Sequence, residues 1–232
     1  MTMFDKPELY TGPIDPDAGF LCYVVCWRPK AGASEDDLTG EKQTMMNYIP
    51  HAPDQACLCG SGRLFEDCCQ PKRLWHPLCP NPGLPEEAGY SKMRAQSATF
   101  THVNADVVRA QLMDDIRLRC TEDAPDSGFW IYEGDPAIQV PHGIMCFGDI
   151  ELRPNRTLYV TALSDLRMKI LLDLLREDCG DALGCPRMVY DALTLVDKRT
   201  GKSVTRANPR SRARSNPRSR ARSSSKRGRR KR

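Results

Sequence analysis

Four cysteines fall within thirteen residues: Cys57-Leu58-Cys59-Gly60-Ser61-Gly62, five further residues, then Cys68-Cys69. Thiolates are soft ligands, and four of them at this spacing can enclose one metal ion. A structural zinc ion holds four sulfurs in a tetrahedron at about 2.3 Å, so the sulfurs must lie within roughly twice that distance of one another. The chain therefore has to reverse between the first pair and the second. Gly60 and Gly62 stand at that reversal, where each can take a positive φ without a Cβ penalty. Such a turn is expected to aim backbone N–H groups at the sulfurs and temper their charge. Leu64-Phe65-Glu66-Asp67 reads as one helical turn delivering Cys68 and Cys69, with Phe65 as a small apolar lid. The expected ligands are Cys57, Cys59, Cys68 and Cys69, and the expected cofactor is Zn2+. A vicinal Cys68–Cys69 disulfide, or four ordinary buried thiols, fits this polar stretch poorly. His76 and Cys79 are substitute ligands on paper, but the Pro-rich run Trp75–Pro80 reads them as loop residues.

The run C-x-C-G-S-G-x5-C-C resembles the SEC-C motif, the zinc knuckle found at the end of the bacterial SecA export ATPase and in many other bacterial proteins. Cys57, Cys59, Gly60, Ser61, Gly62, Cys68 and Cys69 match position by position, and Phe65 takes the usual aromatic place. The resemblance covers roughly residues 55–72 and implies a structural zinc site that presents a docking surface for a protein or the ribosome. A chaperone-like adaptor for secreted precursors rests on the resemblance alone. Two features depart from the family pattern. Leu58 replaces the usual Pro, and Glu66 and Asp67 stand where basic residues are usual, leaving Arg63 as the basic residue of that stretch.

The elements around the knuckle suggest an α+β protein: a small zinc knuckle, then a mixed sheet-and-helix domain, then a disordered basic tail. The expected divisions are an N-terminal segment 1–50 with one strand, the knuckle at 51–80, a linker at 81–91, an α+β domain at 92–203 and the tail at 204–232. Phe20–Trp27 reads as a buried strand carrying Cys22 and Cys26 as core thiols, since four strand residues span about 13 Å, too far for a disulfide or a shared ion. Gly40–Tyr48 is read as a short helix. Thr99–Val103 reads as a strand. Asn104 is a candidate N-cap for a helix over 105–119, with Val108, Leu112 and Ile116 on one face. A loop over Thr121–Gly128 leads to a strand at Phe129–Tyr132. Ile150–Arg153 and Thr157–Thr161 alternate around Pro154-Asn155, which predicts a hairpin. Ser164 should cap a helix whose apolar stripe is Leu166, Ile170, Leu171, Leu174 and Leu175, with Gly180 as its stop. Arg187–Val196 is read as a further strand. Cys179 and Cys185, next to Gly180 and Gly184, are a weak second metal pair.

The net charge of +4 conceals two opposed parts. From Arg206 to Arg232 the chain holds 13 of its 34 Lys and Arg residues and no acid, leaving 21 basic against 30 acidic residues before it, a net of −9. The tail contains a near-exact eight-residue repeat, 207–214 and 215–222, and has little to bury. Its Arg210, Arg212, Arg214, Arg218, Arg220, Arg222, Lys226, Arg227, Arg229, Arg230, Lys231 and Arg232 are candidate contacts to nucleic acid or the ribosome, without base specificity; self-association with the acidic body, an acidic partner, or a merely solvated tail are the alternatives. No apolar run approaches the ~20 residues of a membrane span, the N-terminus lacks the order of a signal peptide, and eleven cysteines suit a reducing compartment. The expected setting is cytoplasmic. The leading functional reading is a zinc-binding interaction or adaptor protein, with a protein partner at the knuckle. The alternative is an enzyme with an active site in the α+β domain, for which Cys120, Cys146, His102 and His142 are the available groups. The chain lacks a phosphate loop, a G-x-S-x-G elbow and an H-E-x-x-H pair.

Overall fold

A period-two pattern of burial organises the larger sheet. In Gly148–Arg153 and Thr157–Ala162 every second residue is buried, and the two strands pair from Gly148↔Ala162 to Arg153↔Thr157. Arg156 closes the turn at φ 57°, so Pro154, Asn155 and Arg156 form a three-residue connection of the type that pairs with twisted strands. The computed structural model of the protein describes residues 12–29, 40–83, 89–134 and 144–204.

The strands in chain order are β1 (Gly19–Pro29), β2 (Gly40–Pro50), β3 (Leu74–Trp75), β4 (Leu78–Pro80), β5 (Tyr90–Lys92), β6 (Gln96–Thr101), β7 (Leu118–Ala124), β8 (Ser127–Tyr132), β9 (Ile144–Met145), β10 (Gly148–Arg153), β11 (Thr157–Ala162), β12 (Arg187–Tyr190) and β13 (Val196–Asp197). Two helices, α1 (Ala105–Asp114) and α2 (Asp165–Cys179), complete an α+β fold among the described residues. The larger sheet runs β12-β6-β11-β10-β8-β7, and the smaller runs β2-β1-β4-β5 with β9 also on β1. A two-stranded ladder joins β13 to β3.

Three layers result. One face of the larger sheet presents Ala98, Phe100, Trp130, Ile150, Leu152, Leu158 and Val160 to Val108 and Leu112 of α1 and to Met168, Leu171, Leu174 and Leu175 of α2. Along β8, Phe129 and Ile131 point the other way from Trp130 and pack with Val25 and Trp27 of β1. The β1–β2 hairpin is thus the third layer. The chain crosses between sheets at Cys146, whose N–H donates to Val25 O at 2.8 Å, and Phe147, whose N–H donates to Tyr132 O at 2.9 Å. Arg167 stitches the same seam. It is 1% exposed, donates to Pro80 O through Nε at 2.9 Å and also through Nη2, and stacks over the Phe147 ring at 5.0 Å.

Several local expectations change. Gly40–Pro50 is strand β2, not a short helix, so the N-terminal segment holds two strands. Its Lys, Gln and Met residues favour helix locally, but pairing with β1 over eleven residue positions outweighs that weak preference. Helix α1 keeps its Asn104 cap but ends at Asp114, because Asp115 is extended and its carboxylate accepts from Arg117 N–H at 2.8 Å. Ile116 is therefore 77% exposed instead of joining the stripe. Residues 118–124 form β7, which occupies part of the expected 121–128 loop. Ser164 caps α2 by accepting from Arg167 N–H, but on its first turn Leu166 faces solvent while Arg167 is buried. The strand expected over 187–196 stops at Tyr190. Cys22 and Cys26 are buried in β1, Cys179 is in the core and Cys185 is exposed. No helix among the described residues is long and apolar enough to cross a membrane. Residues 205–232, with every tail contact proposed above, and His142 lie outside the described residues.

Candidate metal centre

The knuckle is a double turn closed on itself. Cys57 N–H donates to Arg63 O at 2.8 Å, Gly60 N–H to Cys57 O at 3.2 Å, and Ala56 bridges Leu64. Gly60 and Gly62 both adopt positive φ, 75° and 71°, and a Cβ at either would meet nothing within 4 Å. Backbone conformation, not crowding, is what calls for glycine there. The second pair arrives on a tight turn: Phe65 O accepts from the N–H groups of Cys68, Cys69 and Gln70 at 3.0–3.1 Å.

The result is one cluster. The sulfurs of Cys57, Cys59, Cys68 and Cys69 all lie within 4.8 Å of one another, a set that could hold a metal ion. Cys59 Sγ is 3.5 Å and Cys69 Sγ 3.8 Å from Cys68 Sγ. Four sulfurs at about 2.3 Å from a central zinc would be separated by about 3.8 Å, so the donor set fits that ion in both chemistry and size. None of the eleven cysteines is in a disulfide.

The backbone N–H of Cys59 reaches the Cys57 thiol, as expected from the turn, and side chains add to it. Ser61 Oγ is 3.1 Å from Cys68 Sγ, and Arg63 Nη2 donates to the same sulfur at 3.6 Å. Lys72 Nζ lies 4.0 Å from Cys68 Sγ and 3.8 Å from Cys69 Sγ. Lys72 is the contribution that sequence reasoning missed. It follows the second pair by three residues, and a helical-type turn returns it to the sulfurs. Two cations thus flank a cluster that would be doubly negative with zinc on four thiolates. Burial opposes ionisation of Cys68, but hydrogen bonds from Ser61 and the thiols of Cys59, Cys57 and Cys69 bring it down to about 6. Burial, and then the neighbouring thiols, push Cys69 up, and burial also raises Cys57.

A small core anchors the centre. Phe65 is 1% exposed and lies against Phe20 at 4.9 Å and His51 at 5.3 Å between ring centroids. His51 Nε2 sits 2.9 Å from Ala56 O, so this ring is packing and bracing, outside the sulfur cluster. Leu78 of β4 completes the contact. Glu66 and Asp67 are exposed on the outer side. Cys79 is not a loop residue: it is buried in β4, 3.7 Å from Ser91 O and 3.8 Å from Leu163 O. Neither Cys79 nor His76 joins the cluster.

Among the described residues the groups available to an enzyme are dispersed. A cavity of about 360 Å3 between the β1–β2 hairpin and the larger sheet holds Cys146, Asp149, Lys42 and Thr161, and no histidine of the described residues. Cys146 Sγ lies 3.2 Å from Asp149 Oδ1, while Lys42 at 2.5 Å and Thr161 at 3.0 Å occupy the other carboxylate oxygen. Burial and then the Asp149 charge push the Cys146 thiol well up, so it keeps its proton. Cys120 is half-buried and likewise raised, chiefly by burial. His102 lines a separate concavity with Asp106, Asp126 and Arg156, without a cysteine.

The family model of the SEC-C motif matches residues 55–71, the stretch that carries all four clustered cysteines. Comparison with curated proteins and with solved structures finds no match for the chain.

Proposed function

We propose that this chain is a zinc-stabilised interaction module whose metal is architectural. The observation that carries the reading is the four-sulfur cluster at residues 57–69, coincident with the SEC-C match. A tetrahedral ion with four protein ligands has no open position for water or substrate. Its contribution is folding energy, on the order of 10 kcal/mol for small zinc sites. Cys57, Cys59, Cys68 and Cys69 would hold the ion, with Arg63 and Lys72 offsetting its surplus thiolate charge. The knuckle then offers a rigid face to a protein partner, and the basic tail reaches a polyanion, nucleic acid or the ribosome, through counterion release. A reducing cytoplasmic setting suits eleven unpaired cysteines.

Metal analysis tests this directly. Protein purified without chelator is expected to carry one zinc per chain by inductively coupled plasma mass spectrometry. The double variant Cys59→Ser/Cys68→Ser is expected to lose it and to become sensitive to proteolysis around residues 55–72. Zinc retained at full stoichiometry by the double variant would reject the site.

A further inference from the structure

The body of the chain is acidic, yet one corner gathers cations. Lys72, Arg73, Lys198 and Arg199, with Asp17 and two prolines, line a concavity of about 500 Å3. Three segments meet there: the residues just before β1, those leaving the knuckle and the turn that follows β13, the last two brought together by the β13–β3 ladder. The nearby carboxylates are already engaged. Arg73 Nε donates to Asp197 at 2.9 Å, and Lys198 Nζ donates to Asp17 at 3.2 Å. Lys198 is buried and also donates to Gln70 O at 2.8 Å and Cys69 O at 3.4 Å, so it braces the floor of the concavity. Arg73 keeps 72% of its side chain exposed despite its ion pair. Lys72 and Arg199 are exposed and have no carboxylate partner among the described residues. Even with Lys72 and Arg63 set against a doubly negative zinc centre, Arg199 and the neighbouring exposed Lys202 remain in surplus.

After the turn at 198–201 the chain runs back along the same ladder, away from this corner. Val204 N–H donates to Leu195 O at 2.7 Å and Ser203 bridges Val196, so the last described residues are held beside β13. Arg206, the first of the 13 tail cations, follows two residues later, within about 7 Å of Val204 by chain length. We infer that Arg73 and Arg199 form a phosphate seat for the sugar-phosphate backbone of a nucleic-acid strand, on the same ladder from which the basic tail departs. Guanidinium groups favour phosphate through paired N–H donors, and Arg73 is held at the rim by its Nε bond to Asp197. The seat contacts phosphate alone, so its binding is independent of base sequence. The inference rests on the polyanion-binding part of the function proposed above and adds to it a site on the folded body.

The test uses the full-length, zinc-loaded protein and a fluorescein-labelled oligouridine strand, followed by anisotropy across a salt series. Each phosphate contact on a single strand contributes about 0.7 to the slope of log K against log salt. Arg73→Gln/Arg199→Gln is expected to lower that slope by about 1.4, two contacts' worth. Arg199→Glu alone leaves the Arg73–Asp197 pair and every sulfur contact intact; it is expected to lower the slope by at least one contact. A full-length protein with its tail Arg and Lys residues replaced by Gln separates the two sites. The seat variants lowering the slope in that background supports the seat; slopes unchanged by them, with zinc retained, overturn it whatever the tail does. Tail neutralisation without effect would reject the tail reading while leaving the seat as the contact. Binding of inorganic phosphate with no measurable binding of the strand in the tail-neutralised background would assign the concavity to the free anion and overturn the backbone proposal.

Discussion

Phe65→Ala separates a knuckle that hangs from the fold from one that is part of it. Phe65 is buried among Phe20 of β1, His51 just after β2, Leu78 of β4 and the knuckle cysteines. Truncating a buried Phe to Ala costs about 3–5 kcal/mol, the cavity included. Its tilted contact with Phe20 is of the kind worth about 0.5–1.5 kcal/mol beyond burial, so a value toward the upper half of that range is expected. Against a typical total of about 5–15 kcal/mol, this is a large fraction of the fold's stability. Because the partners lie on β1 and β4 and at the residue following β2, the loss should appear in the global transition. Urea unfolding followed by far-UV circular dichroism, with zinc present throughout, should show a lower midpoint and an unchanged slope. Phe65→Leu keeps most of the volume and should cost less than about 1.5 kcal/mol. A Phe65→Ala protein that sheds zinc while its global midpoint stays within about 0.5 kcal/mol of wild type would refute the reasoning, since it would place the knuckle outside the cooperative unit.

Two further outcomes are expected. Asp178 stands next to Asp115, and burial followed by the hydrogen bond and charge of Asp115 raises its carboxyl to about 6 against Arg117's opposing effect. Relative to an ordinary aspartate at about 3.9, the folded state holds this proton more tightly. Its stabilisation is complete below about pH 4 and is lost as pH rises through 6. Asp178→Asn, which mimics the neutral acid, should therefore raise Tm relative to wild type at pH 7.5 and give no gain at pH 4; an equal gain at both would rule out the shared-proton account. Lys198→Met should cost about 1–3 kcal/mol, because Gln70 O and Cys69 O lose their buried donor. Amide hydrogen exchange should quicken at Leu74 and Trp75, which pair with β13, and unchanged protection there would refute the brace.

What could be read from the chain was what its neighbours in sequence decide. The four cysteines lie within one turn-sized segment, so spacing and two glycines were enough to bring them together. The β10–β11 hairpin and the Ser164 cap are local in the same sense. Elements decided at a distance were misread. Strand β2 owes its conformation to β1, and a window holding Glu, Lys, Gln and Met gives no sign of that partner. Arg167 is buried because Pro80 O lies 87 positions away in the chain, where no helical periodicity could place it. Lys198 meets Gln70 across 128 positions.

These long-range contacts alter what the motif means. A knuckle recognised from spacing alone suggests an appendage on a flexible linker. Here its apolar side is shared with β1 and β4, its last turn is capped by Lys198 from the far end of the chain, and its flank is extended by β3 pairing with β13. Metal affinity and fold stability must then be linked: an ion that binds only the folded cluster stabilises everything that unfolds with it, and anything that loosens β1 weakens the ion's apparent hold through the fraction of chain left folded. A substitution far from any sulfur, such as Lys198→Met, should therefore leave zinc retention unchanged in buffer and weaken it under chelator competition in urea near the apo midpoint, where the folded fraction falls.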